Sequence, residues 1–506
     1  MKVTGLISSI GVAVGMLVLA GCDGSDGGGN KATATPVGAT ATPAATGTAP
    51  PPPTPTPQPT QAIPITVPDF SAATFGNPTL VNHTFFPLVP GTALTYLAET
   101  EDEVETNVVE VLDATRIVGG VNSRVVRDRV FVDGLLIEDT HDWFAQDDAG
   151  NVWYMGEQVD NYEYDDEDEL IEINHDGSWE TGKDVANLET LALPGHQMKA
   201  APAPGNLYHQ EFYPGVAEDM AEVLALDVPV SLADGAMYSC LQTRDFTPLE
   251  PGVNEHKFYA PGVGLVLEEN VDEEERLELK GIFNTGPETI PQFHPANFSN
   301  PTQIDNPFLP LEPGTTFTFE GESDDDEEIM VSIEVLADTR TIAGVTSVVV
   351  RDREFVDGVL QEDTRDWFAQ DDAGNVWYMG EQVDNYEYDD DGELVEITHG
   401  GSWETGQDVA GTGSLAIAGI VMKAQPQPRE SYRQEYYPGD ALDMAYVVRT
   451  DAEVEVDGET ICESCLQILE WNPLEPDSLE YKFYRSGVGL ILEQSLDGDE
   501  TLELVD

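Results

Sequence analysis

Two pairs of residues in this sequence have the types that nucleophilic hydrolysis needs. His175 lies three residues before Ser178, and His399 stands in the same relation to Ser402. A serine activated by a histidine, with an acid such as Asp142 close in space, is the arrangement of a hydrolase. However, the Gly-x-Ser-x-Gly nucleophile turn is missing, and Gly-Ser-Trp is typical of a turn that enters a strand. We therefore interpret both histidines as turn or surface residues and keep an exported hydrolase as an alternative function.

Clusters of carboxylate and amide side chains have the ligand chemistry of a Ca²⁺ site, which takes six to eight oxygen ligands. The densest clusters contain Asp147, Asp148, Asn151, Asp165 and Asp166, and at corresponding positions Asp371, Asp372, Asn375, Asp389 and Asp390. No Asp-x-Asp-x-Asp-Gly loop and no nonapeptide repeat accompanies them. Acidic hairpin tips kept soluble by their charge therefore explain the pattern better. Calcium is the one cofactor that we carry forward as a hypothesis.

The pair Cys462-x-x-Cys465 has three interpretations: a redox motif, half of a zinc site or a local disulfide. No second Cys-x-x-Cys or histidine pair accompanies it, which disfavours zinc. No βαβ pattern surrounds it, which disfavours a thioredoxin-like role. In an exported protein oxidation of such a pair is the default. We predict a disulfide between Cys462 and Cys465, which leaves Cys240 free or buried.

These residues belong to a long internal repeat. The segment Trp143-Phe-Ala-Gln-Asp-Asp-Ala-Gly-Asn-Val-Trp-Tyr returns unchanged from Trp367, and around it only His141 changes, to Arg365. A period of a whole domain indicates tandem domains, since solenoid repeats are far shorter. We predict a signal peptide at 1–21, a disordered Gly/Ala/Thr/Pro-rich tether at 22–67, and domain copies at 68–290 and 291–506.

The elements that position these residues are predicted to be strands. Residues 125–132 alternate apolar and charged side chains, and Asp133-Gly134 then gives a tight-turn signal. The segment from Met220 could be helical by propensity, but its counterpart from Met444 is β-branched and aromatic, which favours a strand. The sequence therefore predicts an all-β fold: two tandem copies of a curved antiparallel meander sheet or partly closed barrel, after a disordered linker.

The N-terminus has the pattern of an export signal. Met1-Lys2 precedes an uncharged, largely apolar run over residues 3–19. The following Leu19-Ala20-Gly21-Cys22 resembles the bacterial lipobox, in which the cysteine is lipidated and becomes the mature N-terminus. The alternative is an ordinary signal peptide or a membrane anchor. We predict an exported lipoprotein that is attached to a membrane through Cys22, in the periplasm or at the cell surface.

The charge of the chain excludes some partners. Lys and Arg total 22 against 96 Asp and Glu, a net charge of −74. Nucleic-acid binding needs a cationic face that displaces counterions from phosphates, so it is disfavoured. Hydrophobic residues make up 40% of the chain, which is enough for packed cores.

The repeated Trp-Phe-Ala-Gln-Asp-Asp-Ala-Gly-Asn-Val-Trp-Tyr, Gly-Ser-Trp-Glu-Thr-Gly and Lys-Phe-Tyr…Gly-Val-Gly motifs resemble a group of uncharacterised exported bacterial lipoproteins with tandem β-rich domains. The resemblance implies an exported β-rich domain and no activity. We therefore predict a lipid-anchored protein that binds its partner rather than transforming it as an enzyme would, and whose partner is an unknown protein, glycan, small ligand or divalent cation. The alternatives are a carrier of an apolar ligand in a curved-sheet cavity and the exported hydrolase.

Overall fold

The computed structural model of the protein describes residues 67–99, 104–165, 169–252, 254–270, 276–322, 327–389, 392–456, 459–496 and 501–505. Cys22, the predicted signal peptide and nearly all of the predicted tether lie outside these ranges. Asp166 and Asp390 of the predicted calcium ligands also lie outside them.

The described chain consists of antiparallel strands, and no α-helix occurs in it. Three short 3-10 helices cover Phe70–Ala72, Pro287–Thr289 and Pro295–Asn297. The strands of the first copy are β1 Val81–His83, β2 Phe86–Leu88, β3 Thr92–Glu99, β4 Val104–Val118, β5 Val121–Val132, β6 Leu135–Gln146, β7 Val152–Tyr164, β8 Leu170–Asn174, β9 Trp179–Glu180, β10 Leu193–Met198, β11 Leu207–His209, β12 Glu211–Phe212, β13 Met220–Ser231, β14 Met237–Phe246, β15 Glu255–Ala260, β16 Gly264–Asn270 and β17 Arg276–Asn284.

The second copy repeats this series strand by strand. Its strands are β18 Ile304–Asn306, β19 Leu309–Leu311, β20 Thr316–Glu322, β21 Glu328–Ile342, β22 Val345–Val356, β23 Val359–Gln370, β24 Val376–Tyr388, β25 Leu394–Thr398, β26 Trp403–Glu404, β27 Ile417–Met422, β28 Ser431–Arg433, β29 Glu435–Tyr436, β30 Met444–Val456, β31 Glu459–Asn472, β32 Glu475–Arg485, β33 Gly489–Ser495 and β34 Thr501–Leu504.

Each copy forms one 15-stranded sheet that nearly closes into a barrel. In the first copy the order is β11-β13-β14-β15-β16-β17-β3-β4-β5-β6-β7-β10-β12, with β8 and β9 paired to β7 beside this path. The two ends of the path, β11 and β12, are consecutive in the chain, so the sheet curls until its ends meet. The second sheet has the same order with the corresponding strands. This confirms the predicted all-β tandem fold with a partly closed barrel.

Local sequence explains the hairpins. Asp133 and Gly134 both have positive φ, 48° and 77°, which is the backbone of the two-residue turn predicted between β5 and β6. The segment from Met220 is the strand β13, as its β-branched counterpart predicted.

The end of each barrel sheet forms a seam, between β10 and β12 in the first copy and between β27 and β29 in the second. The close approach of the two backbones at this seam requires glycine. A Cβ placed on Gly195 would overlap the backbone of Gln210, and one on Gly419 would overlap the backbone of Gln434. These glycines lie in β10 and β27, the strands that pair with β12 and β29. The glycines therefore let the two ends of each sheet meet.

The two barrels pack against each other through a shared apolar cluster. Ala93, Val108, Phe131 and Phe283 of the first copy belong to one buried cluster with Met444, Tyr446, Leu469, Trp471 and Leu479 of the second. At the edge of this cluster the Arg433 guanidinium donates to the Thr285 carbonyl at 2.6 Å and to the Thr289 hydroxyl at 3.1 Å. The amide of Asn284 donates to the hydroxyl of Ser431 at 3.1 Å.

Candidate functional site

The repeated Trp-Phe-Ala-Gln-Asp-Asp-Ala-Gly-Asn-Val-Trp-Tyr motif is divided between two sides of the first sheet. Phe144 and Tyr154 stack at 4.8 Å in the main core cluster. Trp143 and Trp153 belong to a separate cluster on the other side. There the guanidinium of Arg116 lies 3.9 Å from the Trp143 ring. The second copy repeats the stack and the cation–π contact. All four aromatic side chains are buried, so the motif serves packing rather than ligand contact.

A buried group of acids and phenols fills the core of each barrel. In the first copy the Tyr154 hydroxyl oxygen lies 2.5 Å from Asp142 Oδ1 and 2.9 Å from Glu157 Oε2. A phenol has one hydrogen, so it can donate to only one of these carboxyl groups. The other contact requires a protonated carboxyl group that donates to the phenolic oxygen. Burial, and then the charge of neighbouring acids, raises the pKa of both Asp142 and Glu157.

The second barrel repeats this group. The Tyr378 hydroxyl donates to Asp366 Oδ1 at 2.6 Å, and the Trp403 indole donates to Glu381 Oε1 at 3.1 Å. Burial raises the pKa of Asp366 to about 7.

Each barrel also surrounds one lysine with carboxylates; the side chain of Lys257 is 5% exposed and that of Lys482 is 20% exposed. Lys257 Nζ lies 3.3 Å from Glu268 and 3.5 Å from Glu255. In the second copy Lys482 Nζ lies near the corresponding acids and a third, at 2.9 Å from Glu470, 2.7 Å from Glu480 and 3.4 Å from Glu493. Burial lowers the pKa of each lysine, but the surrounding carboxylates outweigh it and the net pKa is raised. The lysine is therefore a buried cation that compensates part of the acid group.

One void in the core of the first barrel is too small for a ligand. A void of about 30 Å³ lies among side chains that include Tyr96, Asp128 and Asp142. That volume holds a water molecule or two, whereas small-molecule pockets span roughly 300–1,000 Å³. This void therefore does not support a carrier of an apolar ligand.

The predicted Ser–His pairs lie in turns and are engaged with backbone. Ser178 Oγ accepts from the Val159 amide at 2.9 Å, and His175 Nδ1 lies 2.8 Å from Asp160 and 3.2 Å from the Val159 carbonyl. The second copy matches this arrangement. Ser402 accepts from the Val383 amide, and His399 lies 2.9 Å from Asp384. In both copies the serine hydroxyl therefore fixes a turn, and the geometry does not favour a hydrolase.

The predicted calcium ligands of the hairpin turn hold the turn itself. Asp147 accepts from the Asn151 amide, the Asn151 side chain and the Trp153 indole, at 2.8 to 2.9 Å. Asp148 accepts from the Gly76 amide at 2.7 Å, and Asp165 accepts from the Glu169 amide at 2.9 Å.

The aspartates of the second copy accept hydrogen bonds in the same way. Asp371 accepts from the Asn375 amide and the Trp377 indole. Asp372 accepts from the Ser299 amide, and Asp389 accepts from the Glu393 amide. Within the described ranges no group of three or more His, Cys, Asp or Glu side chains is arranged to hold a metal ion. The calcium site stays a prediction.

The cysteines of the second copy lie on β31, where a disulfide joins Cys462 to Cys465. The Cys240 thiol is free and buried, and burial raises its pKa to about 11. A thiol with a raised pKa is a poor nucleophile at neutral pH, so Cys240 is a core residue.

An open cleft of about 930 Å³ lies in the second barrel. Its walls are mainly glutamates and apolar side chains of β20, β21, β30 and β34, among them Glu320, Glu322, Glu453, Glu455 and Glu503.

The strongest candidate for contact with another molecule is a β-ribbon made by β7 and β8, repeated by β24 and β25. Apolar side chains on it are exposed to solvent in both copies: Leu170 is 51% exposed and Ile171 63%, while their counterparts Leu394 and Val395 are 49% and 64% exposed. Ile173 and Ile397 are exposed as well. Isolated exposed apolar residues are common, whereas these lie together on one short strand in both copies, which makes the ribbon the candidate interaction surface.

Sequence reasoning placed only acidic residues at this ribbon and missed its apolar strand. The signal was present, because the Leu-Ile-Glu-Ile of β8 and the Leu-Val-Glu-Ile of β25 are apolar in both copies. The buried acids were also missed. They lie in strands that mix polar and apolar residues, so the pattern gave no signal of burial, but Asp142, Tyr154, Glu157 and Lys257 all have identical counterparts in the second copy.

Comparison with known proteins identifies no family. No protein-family model matches the chain, and no curated protein matches it. The chain is similar to a solved structure from Bacteroides fragilis NCTC 9343, described as an exported protein with a YmcC-like fold. The identity is 16%, the match covers 40% of this chain and 99% of that one, and the TM-score is 0.22. A TM-score this low carries no argument about the fold or function of this chain.

In the described part of the chain, no helix has the length and apolar character to cross a membrane.

Proposed function

We propose that the protein is an exported lipoprotein, attached to a membrane through Cys22, whose two barrels each present a ribbon that binds another molecule. The observation that carries the binding role is the duplicated exposure of Leu170 and Ile173 with Leu394 and Ile397. The lipobox-like Leu19-Ala20-Gly21-Cys22 supports the attachment, and the Pro-rich segment after it suits a tether.

The barrels act as rigid supports in this proposal. Their cores contain buried aromatic side chains and the acid–phenol groups, and the predicted serine and histidine candidates are occupied in turns. The ribbons extend beyond these cores and their apolar side chains contribute little to packing. A surface that is apolar yet not required for folding is available for a partner.

Attachment is tested by Cys22→Ser in the full chain. We expect the wild type to incorporate a labelled fatty acid and to sediment with membranes, and the variant to do neither. Label in the variant equal to that in the wild type would contradict the lipoprotein assignment.

The ribbon is tested by the quadruple variant Leu170→Ser, Ile173→Ser, Leu394→Ser, Ile397→Ser. Because these side chains are exposed, we expect the free energy of unfolding to change by less than about 0.5 kcal/mol per site. The buried pair Val126→Ser, Val350→Ser serves as the control and should destabilise the protein strongly. Destabilisation of the quadruple variant to the same extent would show that the ribbon is structural.

Binding in the native envelope is tested with a photo-crosslinking amino acid at Ile173 or Ile397. We expect a discrete adduct from both positions. Ile117 is 72% exposed and lies on β4, so it is the matched position that should give none. Equal adducts from all three positions would refute a ribbon-specific role.

A further inference from the structure

Within the described part of the chain, no strand pairs with the outer edge of β8. Among the described strands β8 pairs only with β7, and β25 pairs only with β24. Neither lies on the path of its barrel sheet, which continues from β7 to β10 and β12 in the first copy and from β24 to β27 and β29 in the second. An exposed edge strand presents backbone donors and acceptors to any extended chain that approaches it.

One face of the ribbon is aromatic and aliphatic. Tyr162 lies opposite Ile173, and Tyr164 lies opposite Leu170, with a bulge at Ile171 that keeps both pairs on one face. The second copy has the corresponding pairs, Tyr386 with Ile397 and Tyr388 with Leu394. Tyr164 and Tyr388 each donate from the hydroxyl to a carbonyl of the neighbouring strand at 2.8 Å, which fixes the rings. This face suits apolar side chains of a partner.

The other face of the ribbon places pairs of glutamates directly opposite each other. Glu163 lies directly opposite Glu172, and Glu387 lies directly opposite Glu396. Like charges at directly opposed positions destabilise an antiparallel pair. In the first copy an amide of Asn174 donates to Glu163 at 2.8 Å, which relieves part of the repulsion. A cation held between the opposed carboxylates would relieve it further, so this face suits Lys or Arg side chains.

We propose that β8 and β25 each accept an extended segment of a partner protein as an added β-strand, and that this segment alternates Lys or Arg with apolar residues. The inference rests on the proposed function and names the partner class of the ribbon. A second copy of this chain fits poorly, because the net charge is −74 and edge-to-edge pairing would set glutamates against glutamates.

The proposal is tested by calorimetry on the full chain in detergent with the synthetic peptide Lys-Val-Lys-Val-Lys-Val-Lys. We expect two peptides to bind per chain. The corresponding Glu-Val peptide should not bind, because its charge is repelled. The Lys-Val peptide N-methylated at every backbone amide keeps its charge but has no N–H left to donate from either edge, so it should bind at least about tenfold more weakly. Equal binding of the methylated and unmethylated peptides would reduce the contact to charge attraction and overturn strand addition.

Charge reversal gives the specific test. The double variant Glu172→Lys, Glu396→Lys should lose at least about tenfold in affinity for the Lys-Val peptide and gain binding to the Glu-Val peptide. Its matched control is Asp113→Lys, Asp338→Lys, which makes the same charge change at exposed positions of β4 and β21. If both double variants lose the same affinity, the ribbon is not the site and the proposal is wrong.

The peptide and crosslinking experiments together distinguish failure of strand addition from failure of the proposed binding role of the ribbon. Should the Lys-Val peptide not bind while Ile173 and Ile397 still give crosslinks, the ribbon binds a partner of other chemistry and only the strand-addition inference falls. Should neither peptide nor crosslink be found, both fall.

Discussion

Buried carboxyl groups are the least expected residues in this protein. Glu138 lies in the core of the first barrel, where Thr140 donates from its hydroxyl to Glu138 Oε1 at 2.8 Å. Burial raises the pKa of Glu138 to about 8, and the nearby charges of Asp128 and Asp139 act in the same direction. In the second barrel burial raises the pKa of Asp352 to about 8 and that of Asp443 to about 7. Glu138 and Asp352 are therefore mainly protonated in the folded protein at neutral pH, and Asp443 is protonated in part.

Because these buried carboxyl groups hold protons in the folded protein, the free energy of unfolding depends on pH. Between the unfolded pKa near 4.5 and about 8, folded Glu138 keeps a proton that the unfolded chain releases. The free energy of unfolding therefore falls as pH rises through this window, by an amount on the order of a few kcal/mol. We expect urea unfolding to show lower stability at pH 8 than at pH 5.

The variant Glu138→Gln tests the source of this dependence. The amide is neutral at both pH values and can still accept from Thr140, so stability should fall less between pH 5 and pH 8 than in the wild type. The exposed carboxylate variant Asp113→Asn is the control and should leave the pH dependence unchanged. An unaltered slope in Glu138→Gln would show that Glu138 does not hold the proton.

At the scale of elements, barrel closure depends on the seam between β10 and β12 and between β27 and β29. We expect Gly419→Ala to destabilise the protein by roughly 2–3 kcal/mol, because its methyl group would overlap the backbone of Gln434, which cannot rotate away. The control Gly400→Ala adds a methyl group where no atom lies within 4 Å and should be nearly neutral in thermal unfolding. Equal effects of the two substitutions would contradict the role of the seam.

At the scale of the whole molecule, the contact between barrels is head to tail. The second copy contributes Tyr446, Leu469 and Trp471, a face that in the first copy carries Glu222, Arg244 and Phe246. There Arg244 pairs with Glu222 at 2.9 Å. A head-to-tail contact repeats indefinitely if both copies present the same apolar face. With the Glu222–Arg244 ion pair at these positions, the first copy does not present the same apolar face.

The interface should couple the stability of the two barrels. Phe283 is fully buried and lies 4.9 Å from the Trp471 ring. We expect Phe283→Ala to cost about 3–5 kcal/mol and to separate the unfolding of the barrels into two transitions in calorimetry. Phe246→Ala removes the counterpart of Trp471 from the free face and should retain wild-type cooperativity. A single transition in Phe283→Ala, unchanged from the wild type, would mean that the cooperative unfolding of the two barrels does not depend on this contact.

Much of the architecture was predictable from local patterns. The repeat around Trp143 and Trp367 indicated two copies, and the alternation of residues 125–132 with Asp133-Gly134 indicated the hairpins. These features are local, because the turn backbone and the period of two in a strand depend on neighbouring residues. The lipobox-like motif at Cys22 and the net charge are likewise properties of the sequence alone.

Only the tertiary structure decided which side of each strand is buried. Charged residues such as Asp142 and Lys257 would be placed in solvent by pattern, yet closure of the barrel turns them inward among tyrosines. Exposure of Leu170 on β8 is decided in the same way, since the barrel path continues through β10 and leaves that strand at an edge. Burial depends on which distant strands meet, and a period of two fixes only which residues share a face.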